Sequence, residues 1–309
     1  MTGDDCCFST GPFAGRRLGD AWREMPAEWK GSRAEREKSI PLLVKFIFPE
    51  DKLSVQVHPN DEYAGRNEAA AGGRGKTEMW YAMAAREGAE VMVGMKHQVT
   101  PDAFRKAIIE GMAEECLEHV PLHAGDVVFV PAGTAHTIGP GLVLCEIQQN
   151  SDLTYRVFDY NRLTPEGKPR QLHIQQALDV IRFGEQIGGK TSPVQIARGT
   201  VHETHYVACR YFATQKWEFS RDADGSTSPE SFELLIVLSG AGTLNAGGNS
   251  SEYSSGQVWF LPAALGVYRL HANSPTALLR TYVPDLEEFA RGLRKQRVSE
   301  SDLKRLVVQ

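Results

Sequence analysis

One pattern occurs twice, and it constrains the fold more than any other feature of the chain. The run HAGDVVFVPAGTAH beginning at His123 and the run SSGQVWFLPAALGV beginning at Ser254 share the spacing Gly-x-Val-x-x-x-Pro-Ala. In each copy the glycine (Gly125 or Gly256) suits a tight turn, the following apolar residues form a short strand with a buried face, and the proline ends that strand before another turn. A repeat of this kind implies two similar β-barrels in tandem rather than one continuous sheet. The copies differ at their last position, His136 in the first and Val267 in the second. Any metal site that uses His136 is therefore confined, at that ligand, to the first barrel.

The rest of the chain fits this frame. Residues 41–59 read as two strands and a turn, and 78–83 with 89–95 read as a hairpin around Arg86-Glu87-Gly88. A helix follows, capped by Thr100 with Pro101 in its first turn, placing Phe104, Ala107, Ile108 and Met112 on one face and running to about Glu110. Short strands return at 120–123, 127–130 and 142–148, and again from a second β domain that starts near residue 195. The pattern predicts a mainly β protein: a first barrel domain over 1–187 with a helical insertion near 100–118, a second over 195–284, and a helical tail over 285–309 carrying Leu286, Phe289 and Leu293 at helical spacing.

Composition narrows the partners. A formal net charge of -5 offers no general attraction to nucleic acid or anionic lipid, so a small-molecule partner is expected. The start carries no basic leader with an apolar run, and no apolar stretch has the length of a membrane span. Five scattered cysteines without a C-x-x-C pair argue against a disulfide framework and for a reducing, cytoplasmic setting, with Cys145 as a core residue. Oligomeric state is not legible.

The chemistry gathers in the first barrel. In SVQVHPND, Gln56 and His58 are two apart on a strand, so their side chains share a face. Glu78 and His136 each sit at the start of a short strand beside Gly or Pro turns. Two imidazoles, a carboxylate and an amide make a mixed nitrogen and oxygen set that suits a catalytic zinc, while manganese or iron(II) would also accept it, and the two-His-one-carboxylate part is equally that of non-haem iron oxygenases. Lys76, two residues before Glu78, is expected to reach the same pocket as a fixed positive charge or, with its pKa lowered, as a proton carrier; the alternative is a solvated strand end. In CEIQQNSDLTYRVFDYNR, Arg156 can hold a phosphate or stabilise an oxyanion, or else simply pair with Asp152 or Asp159. Glu146, Asp152, Lys76 and a metal-bound water are all candidates for the general base, which stays unassigned. Trp80 and Tyr81 read as core, and among the other histidines only His173 stays open as a site residue.

These motifs together, VQVHPND, GKTEMWY, VPAGTAH and QQNSDLTYRVFDYNR, occur in the order and approximate spacing of the type I mannose-6-phosphate isomerases in their short two-cupin form, and the sequence resembles that family from about Gly11 to Pro284. The resemblance implies two cupin (jelly-roll) domains, one Zn2+ held by Gln56, His58, Glu78 and His136, an active-site arginine at Arg156, and a phosphorylated sugar substrate. The implied reaction interconverts mannose 6-phosphate and fructose 6-phosphate through a cis-enediol. The family's usual opening strand and its tryptophan-glycine element are not found, so the first strand is expected at 6–9. Two rival readings share the ligands: an iron-dependent cupin oxygenase, and a sugar-phosphate-binding cupin without catalysis.

Overall fold

The computed structural model describes residues 6–308; the acidic opening at 1–5 and Gln309 lie outside the described residues. The chain divides into two compact units, one formed by Leu42–Lys190 and the other by the segment up to Pro41 together with Thr191–Gln309.

The first unit contains strands β1 (Leu42–Ile47), β2 (Val55–Val57), β3 (Glu78–Ala85), β4 (Glu90–Met95), β5 (Leu117–Pro121), β6 (Val127–Val130), β7 (His136–Ile138), β8 (Leu142–Gln149), β9 (Tyr155–Phe158) and β10 (Gly189–Lys190). They form two antiparallel five-stranded sheets, ordered β1-β8-β3-β6-β10 and β5-β4-β7-β2-β9. Trp80, Val128 and Leu144 of one sheet and Val91, Val93 and Ile138 of the other share one apolar core. This is the jelly-roll arrangement of a cupin, in which two sheets bury their inner faces against each other.

The expected hairpin of β3 with β4 does not form. The two strands are joined by the short Arg86 turn, but β3 pairs with β6 and β8 while β4 pairs with β5 and β7. Both strands are rich in buried apolar residues, and crossing to opposite sheets lets each face the shared core. The helix is Pro101–Ile109, with the Thr100 hydroxyl accepting from the Ala103 amide at 3.2 Å and with Phe104, Ala107 and Ile108 buried. Met112 is 41% exposed, because Gly111, at φ +76°, turns the chain before Met112 can join the helix face.

The second unit holds β11 (Val194–Arg198), β12 (Val201–Ala208), β13 (Ala213–Phe219), β14 (Asp222–Ser226), β15 (Glu233–Ser239), β16 (Ala241–Ala246), β17 (Asn249–Ser254), β18 (Val258–Leu261), β19 (Val267–Ala272) and β20 (Thr276–Tyr282). Its sheets run β11-β12-β13-β20-β15-β18 and β14-β19-β16-β17, around a core that includes Trp217, Leu235, Tyr268 and Leu278. The tail forms helices Leu286–Lys295 and Glu300–Leu306, whose Leu293, Leu303 and Leu306 are buried. No described helix is long and apolar enough to cross a membrane.

The segment up to Pro41 was expected in the first domain, and it packs instead in the second unit. Trp22 meets Phe232 edge-on at 5.6 Å, and Arg33 pairs with Glu230 at 2.9 Å and Asp285 at 2.7 Å. Residues 6–9 make no strand; Cys7 forms an isolated bridge with Arg17, and Phe8 lies edge-on to Phe260. Burial of aromatic side chains holds this segment, and it explains why strand patterning did not find its place.

Gly31 shows how close the approach is. It sits at φ +81°, and a Cβ there would stand 2.5 Å from the Glu230 carbonyl carbon, whereas Gly11, at φ +77°, has nothing within 4 Å. Gly31→Ala should therefore destabilise the protein by about 2–4 kcal/mol more than Gly11→Ala. Equal unfolding midpoints for the two variants would show that the contact contributes nothing.

Candidate metal centre

The barrel ladder brings the ligands together. Gln56 of β2 lies directly across from His136 of β7, and Glu78 opens β3. His58 directly follows β2 and precedes Pro59, and it is held in place by its Nδ1–H donating to the Leu153 carbonyl at 2.9 Å. The ring of His136 is fixed in the same way, Nδ1–H to the Thr134 carbonyl at 2.9 Å. Both imidazoles therefore carry their lone pair on Nε2, the tautomer that a metal ligand needs.

Ligand atoms of His58, Glu78 and His136 all lie within 4.8 Å of one another, and all three residues are buried. His136 Nε2 is 3.4 Å from Glu78 Oε1, and His58 Nε2 is 3.7 Å from Glu78 Oε2. The second distance is too long for a hydrogen bond, and His58 Nε2 has no hydrogen-bond partner. An orphaned buried nitrogen aimed at a carboxylate is the mark of a site shaped for a cation, because such an atom is otherwise costly to bury. Two neutral imidazoles and one carboxylate fit a divalent metal.

Gln56 is placed differently from the other three. Its amide nitrogen lies 3.2 Å from His136 Nε2 and its oxygen accepts from Ser54 Oγ at 3.2 Å. Ligation by Gln56 requires the amide to turn so that its oxygen faces the ion.

The charges agree with this reading. Burial drives His136 down to about 3, and burial with Lys76 lowers His58, so both rings stay neutral at ordinary pH. Burial alone would raise Glu78, but Lys76 and His58 outweigh it and hold its carboxyl well below the usual range. The Lys76 ammonium is 2.7 Å from Glu78 Oε2 and 3.6 Å from Glu146 Oε1, with only 5% of the residue exposed. It is no solvated strand end. Burial pulls Lys76 down, yet Glu78 and Glu146 leave it raised, so it stands as a fixed cation and not as the proton carrier that a lowered pKa would make it.

Glu146 lies beside this group on β8, across from Trp80 on β3 and Lys45 on β1. It accepts from the Trp80 indole at 3.2 Å. Burial, with the nearby negative Glu78, pushes its carboxyl up to about 7 against the pull of Lys76 and Lys45. Asp152 is exposed and paired with Lys45 at 3.0 Å. Asp159 is taken by Arg162 and Arg170. Neither acid therefore pairs with Arg156, whose guanidinium donates to Ser54 Oγ at 3.2 Å and to the Gln171 carbonyl at 3.4 Å and has no carboxylate partner among the described residues.

Sequence reasoning missed Lys45, the Ser54 hydroxyl that touches both Gln56 and Arg156, and Gln148, which faces Glu78 across the ladder and has a buried oxygen without a partner. Only a lone lysine within the apolar run LLVKFI hinted at the first. His173 is tied to this region through its backbone amide, which donates to the Arg156 carbonyl at 2.7 Å. Trp80 is core, fully buried, and also touches the site, edge-on to His136 at 5.4 Å.

Comparison with known proteins agrees with the fold. The family model described as mannose-6-phosphate isomerase, cupin domain, matches residues 202–281, within the second barrel. The probable mannose-6-phosphate isomerase GmuF of Bacillus subtilis (strain 168) is 36% identical over 263 residues, 85% of this chain and 81% of that protein. The crystal structure of the mannose 6-phosphate isomerase from Bacillus subtilis is similar at a TM-score of 0.80 and 29% identity, covering 89% of this chain and 84% of the other. A mannose 6-phosphate isomerase solved with zinc and yttrium bound shares the fold at a TM-score of 0.67 and 18% identity, with 87% and 86% covered. At this identity and coverage, the chain belongs to the mannose-6-phosphate isomerase family.

Proposed function

We propose that this protein interconverts mannose 6-phosphate and fructose 6-phosphate, with its catalytic site in the Leu42–Lys190 unit. The observation that carries this reading is the buried set His58, Glu78 and His136 set beside a carboxyl, Glu146, that titrates near neutrality. Family membership favours it over an oxygenase. Residues 195–284 are read as the degenerate second cupin, and 285–309 as its helical tail.

His58, Glu78 and His136 would hold the metal, with Gln56 as a fourth ligand once its amide turns. Zinc is the metal proposed, from the borderline-soft donor set and from the zinc bound by a relative of the same fold. When bound, the metal supplies Lewis-acid stabilisation for negative charge on the sugar's oxygens.

The proton transfer falls to the chain. Glu146, ionised, removes the proton from C2 of the open-chain aldose, and the electron pair left behind forms the C1=C2 enediolate with the negative charge on O1; the O2 hydroxyl proton passes to O1, and the same carboxyl, now protonated, delivers its proton to C1 as the O2 electron pair closes the C2 carbonyl of the ketose. A carboxyl near 7 is suited to both halves, since neither its acid nor its base form is scarce at neutral pH. Asp152 is less fit for this role, being exposed and committed to Lys45. Lys76 keeps a positive charge between Glu78 and Glu146, and so favours anionic states within reach. Arg156, cationic and free of carboxylates, is read as the group that meets the phosphate or the developing oxyanion. All five cysteines are free, which fits a reducing, cytoplasmic compartment.

Three outcomes are expected. His136→Ala should lose both bound metal, by elemental analysis of the folded protein, and turnover of mannose 6-phosphate, and a chelator should reproduce the loss of turnover in the unmodified enzyme; full turnover in a metal-free sample would overturn the site. Because the base must be ionised, kcat/KM should fall as pH drops through about 7. Glu146→Gln should remove that acidic limb and lower kcat by about 10²–10⁴-fold, whereas an unchanged profile assigns the base elsewhere. Arg156→Ala should cost about 10²–10³-fold, and measuring its effect on unphosphorylated mannose separates the two roles: a loss seen only with the phosphorylated sugar marks a phosphate contact.

A further inference from the structure

The two barrels can be matched residue by residue through their ladders. In the first, Glu78 lies across from Val130 and Gln148; in the second, Glu233 lies across from Leu261 and Tyr282, and Val130 and Leu261 each precede a Pro-Ala pair. Glu233 is thus the counterpart of Glu78. By the same registers Arg280 matches Glu146, Val267 matches His136 and Ser226 matches Gln56. Counting on two residues, Ser228 matches His58. The second barrel has kept the carboxylate and replaced the imidazoles, and the positive charge facing that carboxylate is a guanidinium. Arg280 Nε donates to Glu233 Oε2 at 2.7 Å, a second Arg280 nitrogen donates to the other oxygen, and the Tyr268 hydroxyl donates to Oε2 at 3.0 Å.

This pair lines a cavity of about 620 Å³ that lies wholly within the second unit. Further polar groups on its wall are held in a chain. Arg198 donates to Glu203 at 2.5 Å, and His205 Nε2 is 3.3 Å from the other oxygen of Glu203. Gln215, in the amide orientation that satisfies its neighbours, donates to His205 Nδ1 at 3.0 Å and accepts from Arg280 at 2.8 Å. The Tyr282 hydroxyl, on the same wall, makes no hydrogen bond to another described residue. Phe289 and Leu293, from the helix Leu286–Lys295, supply an apolar side.

The geometry points to this cavity as a second, metal-independent binding site, for a neutral polyhydroxylated ligand such as a free sugar or sugar alcohol. Arginines, carboxylates, an amide and a phenol held rigidly offer the alternating donors and acceptors that hydroxyl groups require, and a pyranose has a C–H face to set against Phe289. The volume accommodates a monosaccharide. The cavity's arginines are outnumbered two to one by carboxylates, so a phosphorylated sugar is disfavoured. This inference does not depend on the reaction proposed for the first barrel.

The test is calorimetric titration with D-mannose and with mannose 6-phosphate, in the unmodified 309-residue protein and in variants of it. A Cβ at Gly292, which lines the cavity, meets nothing within 4 Å, so Gly292→Leu fills the space without removing a charge. Saturable mannose binding should persist in His136→Ala, weaken at least about tenfold in Gly292→Leu, and weaken about three- to tenfold in Tyr282→Phe, which removes only a hydroxyl. In a His136→Ala/Arg156→Ala background, which removes both the metal ligand and the proposed phosphate contact of the first barrel, mannose 6-phosphate should bind at least about tenfold more weakly than mannose. The inference is overturned if mannose shows no saturable binding, if His136→Ala abolishes it, or if the phosphorylated sugar binds more tightly than mannose in the His136→Ala/Arg156→Ala background. It is also overturned if a Gly292→Leu protein with the unmodified unfolding midpoint binds as before. Should Gly292→Leu not fold, unchanged affinity in Tyr282→Phe is the outcome that overturns it.

Discussion

A carboxylate removed from water must be compensated where it stands, and the first barrel is arranged around that requirement. Glu78 is 1% exposed, and its compensation comes from Lys76 two residues earlier and from two imidazoles that reach it from β7 and from the end of β2. Each of these side chains is anchored by a further contact. The backbone carbonyls of Leu153 and Thr134 orient the rings, and Glu146 faces the ammonium from β8. Breaking one link would leave a buried charge unpaired, which is far more costly than losing a surface pair. The rigidity of the site and the strict placement of four strands around it are two aspects of this one electrostatic demand.

The same demand explains the shift at Glu146. With Glu78 already ionised and close to the cations, a second buried carboxyl cannot share them equally, and the two groups are driven apart in acidity. A pair of carboxyls separated in this way is suited to divided labour, and the proposed reaction uses it so, with Glu78 to hold the cation and Glu146 to exchange the proton. The second barrel resolves the equivalent problem with an arginine from the Glu146 position, and there the carboxylate and its counter-charge both belong to the chain.

Much of this was legible from the sequence because it is written in short spacings. His58, Glu78 and His136 each sit next to a Gly or Pro turn in a recognisable run, and Gly125 and Gly256 announced the two barrels. What the sequence did not carry was the pairing of elements far apart along the chain. The turn at Arg86-Glu87-Gly88 looks like any hairpin turn, and only competition for the shared core decides that β3 and β4 part company. The position of residues up to Pro41 rests on aromatic contacts with Phe232 and Phe260, which no periodicity encodes. Lys45 and Gln148 join the site only through register with Glu146 and Glu78.

The pairing of β1 with β8, which sets Leu42 against Gln149, has a consequence for how the molecule is made. During synthesis β1 emerges early but has no partner until β8 has also left the ribosome, and the sheet cannot be completed before Lys190 follows. Contacts so distant in sequence form slowly, since much chain entropy is lost before they contribute. For that interval the apolar run of β1 and the imidazole of His58 wait without their neighbours. The nascent first barrel thus has a long window of exposed strand edge, in which holding by a chaperone matters more than for a chain whose strands pair as they appear.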